Sequence, residues 1–255
     1  MINITKIIRV VTLSSLLLLG GLSCKDRLYK DMEGALREPE KVKRLSLESQ
    51  GLNALSPEIA KFENLEELSL SHNYLRNLPP EIGHLKKLKK LTLWSNQLET
   101  IHVNIGRLKE LKFLNIDKNL LRELPEEISN LHKLEILSVT NNTLRALPAS
   151  IGKLKKLKKL HVKSNRLGKL PPSIGKLLNL KELFVFHNRL TDIPAEICDL
   201  ENLEVFYLWG NNLKALPERI GKLRKLKRLS VYDNLLSAGE KRRIKEALPD
   251  CKIEF

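Results

Sequence analysis

The chain has 255 residues, 42% of them apolar, which is enough for a sizeable core in one or two domains and argues against a disordered chain. Its three cysteines, Cys24, Cys198 and Cys251, lie far apart with no CxxC spacing, which argues against a zinc site or a dense disulfide framework. The formal net charge is +15. Only 5% of the residues are aromatic while leucine recurs throughout, so the apolar content is mostly aliphatic and a regular spacing of the leucines would indicate an internal repeat.

The first 23 residues are predicted to be an export signal. Lys6 and Arg9 form a basic start, and the apolar run over 10–22 is shorter than the roughly 20 residues that span a bilayer. The run ends in Gly21-Leu22-Ser23-Cys24, which resembles a bacterial lipobox. The resemblance implies cleavage before Cys24 and lipidation of that cysteine, which would attach the chain stably to a membrane. The alternative is ordinary signal cleavage beside an incidental cysteine.

A period of 23 residues organises the rest of the chain. Each unit reads LxxLxLxxNxLxxLPxxIxxLxx, and the sequence contains eight full repeats and a truncated ninth over 42–236. The LxL alternation is typical of a strand that turns both leucines to one side. The LPxxI segment predicts a short helical or 3₁₀ return, because Pro cannot continue a strand. The leucines that open the repeats are Leu65, Leu88, Leu111, Leu134, Leu157, Leu180, Leu203 and Leu226.

This repeat resembles the 23-residue LPxxIG class of the leucine-rich repeat family, and in particular the leucine-rich repeat lipoproteins of spirochaetes. The resemblance implies an α/β solenoid, a horseshoe with a parallel concave β-sheet and short helical or 3₁₀ convex segments. Because the ends of such a stack expose apolar faces, caps are expected. We assign 24–41 to an anchor linker and N-terminal cap with a short helix over 30–38. We assign 237–255 to a C-terminal cap with a helix and a closing strand.

One asparagine stands at the same place in nearly every repeat, where the strand turns inward. Its amide can bond backbone groups that the bend would otherwise leave buried and unpaired. We interpret the series as a structural ladder and not as a ligand site. Its members are Asn73, Asn96, Asn119, Asn142, Asn165, Asn188, Asn211 and Asn234.

Aromatic residues gather at the strand positions that point away from the leucine core, late in the chain. Phe184, Phe186, Tyr207, Trp209 and Tyr232 come from three adjacent strands and are predicted to form one patch, edged by His161, Lys163 and His187. Trp94 and Phe113 are predicted to form a smaller cluster. We interpret both as binding sites for a protein partner, a host protein being one candidate. The alternatives are that the rings only stack and stabilise the sheet, or that they serve carbohydrate stacking or self-association.

The positive charge is concentrated in three clusters, over 86–90, 155–159 and 224–228, each three repeats from the next. They are expected along the edge where each repeat enters its strand. There they could meet anionic lipid or glycan by long-range attraction, and the alternative is a solvated basic edge. A nucleic-acid partner is disfavoured by the export signal.

Catalytic chemistry is not predicted, because no nucleophile, base and orienting group converge. The nearest approach to a metal site is the pair His161 and His187 on adjacent strands. Glu182 is nearby, but a third close ligand is lacking, so neither a metal nor a cofactor is expected. Cys198 stands where other repeats have Gly, and Cys198 and Cys251 are expected to be unpaired thiols.

The sequence therefore predicts a non-catalytic protein-binding module that is lipid-anchored in the bacterial envelope, whether in the outer membrane, in the periplasm or at the surface. Two alternatives remain open. One is a structural or self-associating envelope protein, and the other is a cytosolic scaffold, which acylation of Cys24 would exclude.

Overall fold

The computed structural model describes residues 27–255, so the predicted export signal and Cys24 lie outside the described residues. The described chain forms one parallel sheet in which each strand pairs with the strands before and after it in sequence. The predicted solenoid is confirmed. The strands are β1 (Leu28–Tyr29), β2 (Arg44–Ser46), β3 (Glu67–Ser69), β4 (Lys90–Thr92), β5 (Phe113–Asn115), β6 (Ile136–Ser138), β7 (Lys159–His161), β8 (Glu182–Phe184), β9 (Val205–Tyr207), β10 (Arg228–Ser230) and β11 (Lys252–Glu254).

The register of the sheet places equivalent residues of successive repeats side by side. Leu68 lies opposite Leu91, and Leu91 lies opposite Leu114, so paired residues are one repeat apart in sequence. These leucines are fully or almost fully buried, and they belong to one continuous core that extends from Tyr29 to Leu248. Each repeat therefore buries its leucines against its neighbours, as a solenoid requires.

Short 3₁₀ helices return the chain on the far side of the core, as the LPxxI pattern predicted. They stack closely, since a Cβ atom added to Gly106 would lie 2.5 Å from the carbonyl oxygen of Glu127 in the next repeat. Where Pro is replaced, His102 and Ser56 instead cap the following helix by accepting a backbone N–H. The helices are Pro39–Lys41, Pro57–Lys61, Pro80–His84, Val103–Arg107, Glu126–Asn130, Ile151–Lys153, Pro172–Lys176, Ala195–Asp199 and Glu218–Lys222.

The asparagine series forms the predicted ladder. Asn96 is typical, because its Nδ2 donates to the carbonyl oxygens of Leu70 (3.0 Å) and Leu93 (3.1 Å). Its Oδ1 accepts the backbone N–H of Leu75 at 3.1 Å. The amide therefore joins two repeats, and it pairs the Leu75 N–H, which has no other partner within residues 27–255.

The N-terminal end of the sheet carries a strand that the repeat pattern did not predict. β1 pairs with β2, although its residues lie outside the 23-residue period. A short helix follows as expected, α1 (Met32–Leu36), which is capped by Asp31 and buries Ala35 completely.

The C-terminal end is covered by helix α2 (Ala238–Ala247), which buries Ile244 completely. Two of its side chains bond the last 3₁₀ region, since Glu240 accepts the N–H of Leu216 at 2.8 Å and Arg243 donates to the Leu216 carbonyl oxygen at 2.7 Å. Strand β11 then completes the sheet. Within residues 27–255, no helix has the length and apolarity needed to cross a membrane.

A candidate binding site on the open face of the sheet

The face of the sheet that points away from the leucine core, here called the open face, carries two rows of side chains. The inner row occupies the position between the two buried residues of each LxL, and the outer row occupies the position directly after them. The register aligns these positions, so that His161 lies opposite Phe184 and Phe184 opposite Tyr207. Side chains at equal positions therefore become lateral neighbours.

The inner row is a continuous ring stack over three strands. The rings of His161 and Phe184 are nearly parallel with centroids 4.3 Å apart, and those of Phe184 and Tyr207 are 4.9 Å apart. Buried serines flank the stack on the adjacent strands, Ser138 beside His161 and Ser230 beside Tyr207.

The outer row forms a second stack beside the first. The Phe186 and Trp209 rings are 4.4 Å apart and the Trp209 and Tyr232 rings 4.9 Å apart, all nearly parallel. Lys163 Nζ covers the other end, 5.1 Å from the Phe186 centroid. The rows meet where the rings of Phe184 and Phe186 lie 6.3 Å apart. The two rows bring together the five predicted aromatic residues, here called the aromatic patch.

His187 is the third predicted neighbour, and a glycine places it. His187 has a positive φ of 51°, and its ring contacts the Trp209 ring edge-on at 4.1 Å. A Cβ atom on Gly210 would lie 2.7 Å from His187 Nδ1. The sequence analysis did not identify Gly210. The available signal was that the equivalent position carries a polar side chain in the other repeats.

The polar tips of the aromatic patch are unused within the protein. In residues 27–255 the indole N–H of Trp209 and the hydroxyl groups of Tyr207 and Tyr232 have no hydrogen-bond partner. Tyr232 is 39% exposed, and the four other members are partly exposed. Stacking covers the ring faces, so a ligand would meet ring edges and free hydrogen-bonding groups.

His161 is held mainly in the neutral form. Burial lowers the pKa of its imidazole, and this effect exceeds the opposing attraction of the Glu182 and Asp117 carboxylates. Glu182 Oε2 lies 3.4 Å from Nε2, but Nε2 is buried without a well-aligned hydrogen bond. The first inner-row ring therefore stacks on Phe184 as an uncharged aromatic group at neutral pH.

The predicted cluster of Trp94 and Phe113 is wrong. Trp94 contacts the His72 ring at 4.2 Å and Lys118 at 4.9 Å, whereas Phe113 contacts Lys90 at 5.6 Å. Phe113 pairs with Lys90 in the sheet, and Trp94 lies four residues beyond Lys90. At about 3.3 Å per residue, this separates the two side chains by roughly 13 Å along the strand direction.

The three basic clusters, here called the lysine edge, lie where the repeats enter their strands. Each contains a lysine that pairs with a glutamate of the preceding repeat, as in Lys89 with Glu66 at 2.7 Å and Lys227 with Glu204 at 2.7 Å. Hydrogen bonds from these lysines lower the pKa of both glutamates. Part of the charge is balanced locally, which favours the solvated-edge interpretation.

The cysteines and the potential metal ligands of residues 27–255 are the other side chains that could carry chemistry. No set of three His, Cys, Asp or Glu residues in 27–255 is arranged to hold a metal ion. Cys198 and Cys251 are free, as predicted, and burial raises the pKa of both thiols, that of Cys251 to about 11. Neither thiol is therefore activated at neutral pH.

Comparison with known families agrees with this geometry. A model described as leucine rich repeat matches residues 40–98, and one described as leucine-rich repeat region matches residues 95–189. The chain is a leucine-rich repeat protein. Both models describe the repeat itself, a scaffold for protein interaction, and neither describes a catalytic domain. No curated protein sequence matches this leucine-rich repeat protein significantly.

Several solved structures resemble the leucine-rich repeat protein. The ectodomain of the Arabidopsis thaliana receptor kinase GASSHO1/SCHENGEN3, crystallised with CASPARIAN STRIP INTEGRITY FACTOR 2, is 31% identical with a TM-score of 0.72. The alignment covers 82% of this chain and 26% of the ectodomain, so the protein spans about a quarter of that relative. An internalin of Listeria monocytogenes is 20% identical with a TM-score of 0.68, over 89% of this chain and 72% of the internalin.

A leucine-rich repeat protein of Leptospira interrogans also matches, at 24% identity over 90% of this chain and all of that one. Its TM-score is 0.34, too low for an argument from shape. The fold assignment therefore depends on the plant ectodomain and the internalin.

Proposed function

We propose that this leucine-rich repeat protein is a non-catalytic binding module, lipid-anchored through Cys24 in the bacterial envelope, whose aromatic patch binds a protein partner. The observation that carries the proposal is the combination of two ring stacks with three unused polar tips. Stacking alone accounts for the alignment of the rings, and such pairs each contribute about 0.5–1.5 kcal/mol. It does not account for an indole N–H and two hydroxyl groups that face outward without partners.

The residue types of the aromatic patch suit a protein interface. Tyr and Trp combine a large apolar area with a hydrogen-bonding tip, and they dominate the energetics of protein interfaces. The stacks also fix the side chains before binding, which lowers the conformational entropy lost on association. The plant ectodomain offers a parallel, since it was crystallised with a named factor.

Site-specific photo-cross-linking in intact cells tests the binding surface. A benzoylphenylalanine at position 207 keeps an aromatic ring in the inner row, and the same group at position 74 is the matched control. Tyr74 is 55% exposed and lies outside the aromatic patch. A cross-link to one defined protein from position 207 and not from position 74 supports the proposal. Equal cross-linking from both positions contradicts it.

The anchor is tested by mass spectrometry of the mature N-terminus from native cells, combined with protease treatment of intact cells. The proposal expects a chain that begins at an acylated Cys24. A mature chain that begins at Met1 would exclude the envelope and leave the cytosolic scaffold.

Self-association through the aromatic patch is the competing function, and gel filtration separates it from partner binding. The proposal expects a monomer at all concentrations. A concentration-dependent dimer that Trp209→Ala abolishes would assign the patch to self-association instead.

A further inference from the structure

A depression on the flank opposite the lysine edge is unconnected with the aromatic patch. It lies where the chain leaves the asparagine ladder, and its volume is about 400 Å³. Four successive repeats contribute to it, and the last three each supply one of the three arginines that surround the opening, here called the arginine cleft. Its lining residues are Glu99, Leu120, Arg122, Thr143, Arg145 and Arg166.

The backbone of the solenoid fixes the arginines relative to one another. The Arg145 N–H donates to the Arg122 carbonyl oxygen at 3.3 Å, and the Arg166 N–H donates to the Leu144 carbonyl oxygen at 2.9 Å. The repeats that carry the three side chains are therefore hydrogen-bonded directly to each other. Such an arrangement brings like charges together before any ligand binds.

These guanidinium groups form no ion pair with the carboxylates of the described residues. Across residues 27–255, Arg122, Arg145 and Arg166 make no ion pair and no side-chain hydrogen bond, whereas several cations of the lysine edge pair with glutamates. Glu99 lines the cleft but lies beyond ion-pair distance of the arginines. Three adjacent unpaired cations repel one another, and an external anion would relieve that repulsion.

A glycine keeps one side of the cleft open. Gly168 occupies the position equivalent to Arg145 in the next repeat, and its N–H donates to the Arg145 carbonyl oxygen at 3.4 Å. A Cβ atom added to Gly168 would meet nothing within 4 Å. A side chain could therefore be accommodated there, and in this chain the space beside Arg145 is left free.

We propose that the arginine cleft binds a sugar that carries a phosphate or sulfate monoester. The planar guanidinium fork matches the oxygens of such esters, and hydrogen bonds between two charged groups are the strong ones. Leu120, which is 50% exposed, offers an apolar surface for the C–H face of the sugar ring. The free carboxylate of Glu99 can only accept hydrogen bonds when ionised, so it suits sugar hydroxyl groups. The volume lies within the usual range of small-molecule sites, about 300–1,000 Å³.

Arginine side-chain NMR of the purified protein tests the proposal, with glucose 6-phosphate and glucose 6-sulfate as probes and glucose and inorganic phosphate as controls. A subset of arginine Nε–H signals should shift with at least one ester, and the two titrations show which ester the cleft prefers. Glucose should cause no shift, and inorganic phosphate should bind at least about threefold more weakly than the preferred ester.

Two variants that differ only in charge provide the sharpest control. Gly168→Glu places a carboxylate beside Arg145, while Gly168→Gln adds a neutral side chain of the same size. The first should weaken binding at least about tenfold relative to the second, a difference of about 1.4 kcal/mol. The exposed double variant Arg145→Gln/Arg166→Gln should also weaken binding at least about tenfold relative to the unaltered protein, and it alone provides the test if Gly168→Glu does not fold.

A double variant on the lysine edge, Lys155→Gln/Lys156→Gln, removes the same formal charge elsewhere and should bind as the unaltered protein does. The proposal is overturned if this variant weakens binding as much as the arginine variant, or if Gly168→Glu and Gly168→Gln bind equally. Equal affinity for inorganic phosphate and for the preferred ester would overturn the assignment of a sugar ligand.

Discussion

A single asparagine per repeat connects the sequence pattern to the stability of the stack. Asn142 is 8% exposed, its Nδ2 donates to the carbonyl oxygens of Ile116 and Val139, and its Oδ1 accepts the Leu121 N–H. Within residues 27–255 the Leu121 N–H has no other partner, whereas the carbonyl oxygens of Ile116 and Val139 also accept from Asn119 and Asn165. The cost of leaving buried polar groups unpaired is about 1–3 kcal/mol for each.

We therefore predict that Asn142→Ala lowers the free energy of unfolding by about 1–3 kcal/mol, measured by urea denaturation followed by circular dichroism. Asn234→Ala is the matched control, because Asn234 makes equivalent bonds but is partly exposed at the end of the ladder. Water can replace its bonds, so the loss should be clearly smaller. Equal losses for both variants would contradict the ladder interpretation.

His161 gives the sheet a pH dependence with a defined sign. Burial lowers the pKa of the folded imidazole, while Glu182 and Asp117 oppose this effect and Lys159 adds to it. The unfolded chain therefore takes up the proton first as the pH falls through the ordinary histidine range, near 6.5, and the folded state loses stability there.

The free energy of unfolding is measured at pH 7.5 and pH 5.5 for the unaltered protein and for His161→Phe, which keeps a ring against Phe184. The variant should lose less stability on acidification. His132→Gln, at an exposed position, is the control and should retain the original pH response. A His161→Phe variant that responds to pH like the unaltered protein would show that burial of this imidazole does not matter.

The strands and the 3₁₀ segments were predictable because the leucine period specifies them redundantly. The same burial pattern recurs in every repeat, so the departures from the consensus at Gln50 and His102 do not shift the register of the sheet. β1 was not predictable, because its two residues lie outside the period. The predicted cluster of Trp94 with Phe113 was wrong because the two residues, although in adjacent repeats, differ by four residues in their position along the strand. The arginine cleft was missed because its positions vary among repeats and converge only once the stacking is known.

Helix α2 covers the apolar C-terminal end of the solenoid. It covers the last repeat with Ile244 and pairs the free backbone groups of Leu216 through Glu240 and Arg243. A chain that ends at Leu236 would expose Leu226 and Leu229, which are now 4% and 1% exposed. An uncovered apolar end is what terminal caps of solenoids prevent.

We predict that deletion of 237–255 lowers the melting temperature and produces concentration-dependent association, measured by differential scanning calorimetry and light scattering. Arg243→Ala should have a milder effect, about 1–3 kcal/mol, because it removes the bonds to Leu216 and Glu218 and the ion pair with Glu240 but leaves the helix in place. A monomeric deletion variant with an unchanged melting temperature would show that α2 is dispensable.

The surfaces of the molecule differ in charge and in aromatic content. The lysine edge has part of its charge balanced by glutamates, the arginine cleft carries unpaired charge on the opposite flank, and the aromatic patch lies on the open face between them. A stack of nearly identical repeats has no structural need for this asymmetry, since the core positions alone maintain it. We therefore expect function at the surfaces that differ among the repeats, which are the aromatic patch and the arginine cleft.

Quantitative capture from a solubilised envelope fraction tests whether the aromatic patch binds a protein. Immobilised unaltered protein, Trp209→Ala and Tyr74→Ala are compared by mass spectrometry. We expect one protein to be enriched equally by the unaltered protein and by Tyr74→Ala. Its recovery should fall about thirtyfold or more with Trp209→Ala, as expected for a residue that contributes about 2 kcal/mol or more to binding. Equal enrichment by all three forms, with Trp209→Ala folded as judged by circular dichroism, would contradict this expectation.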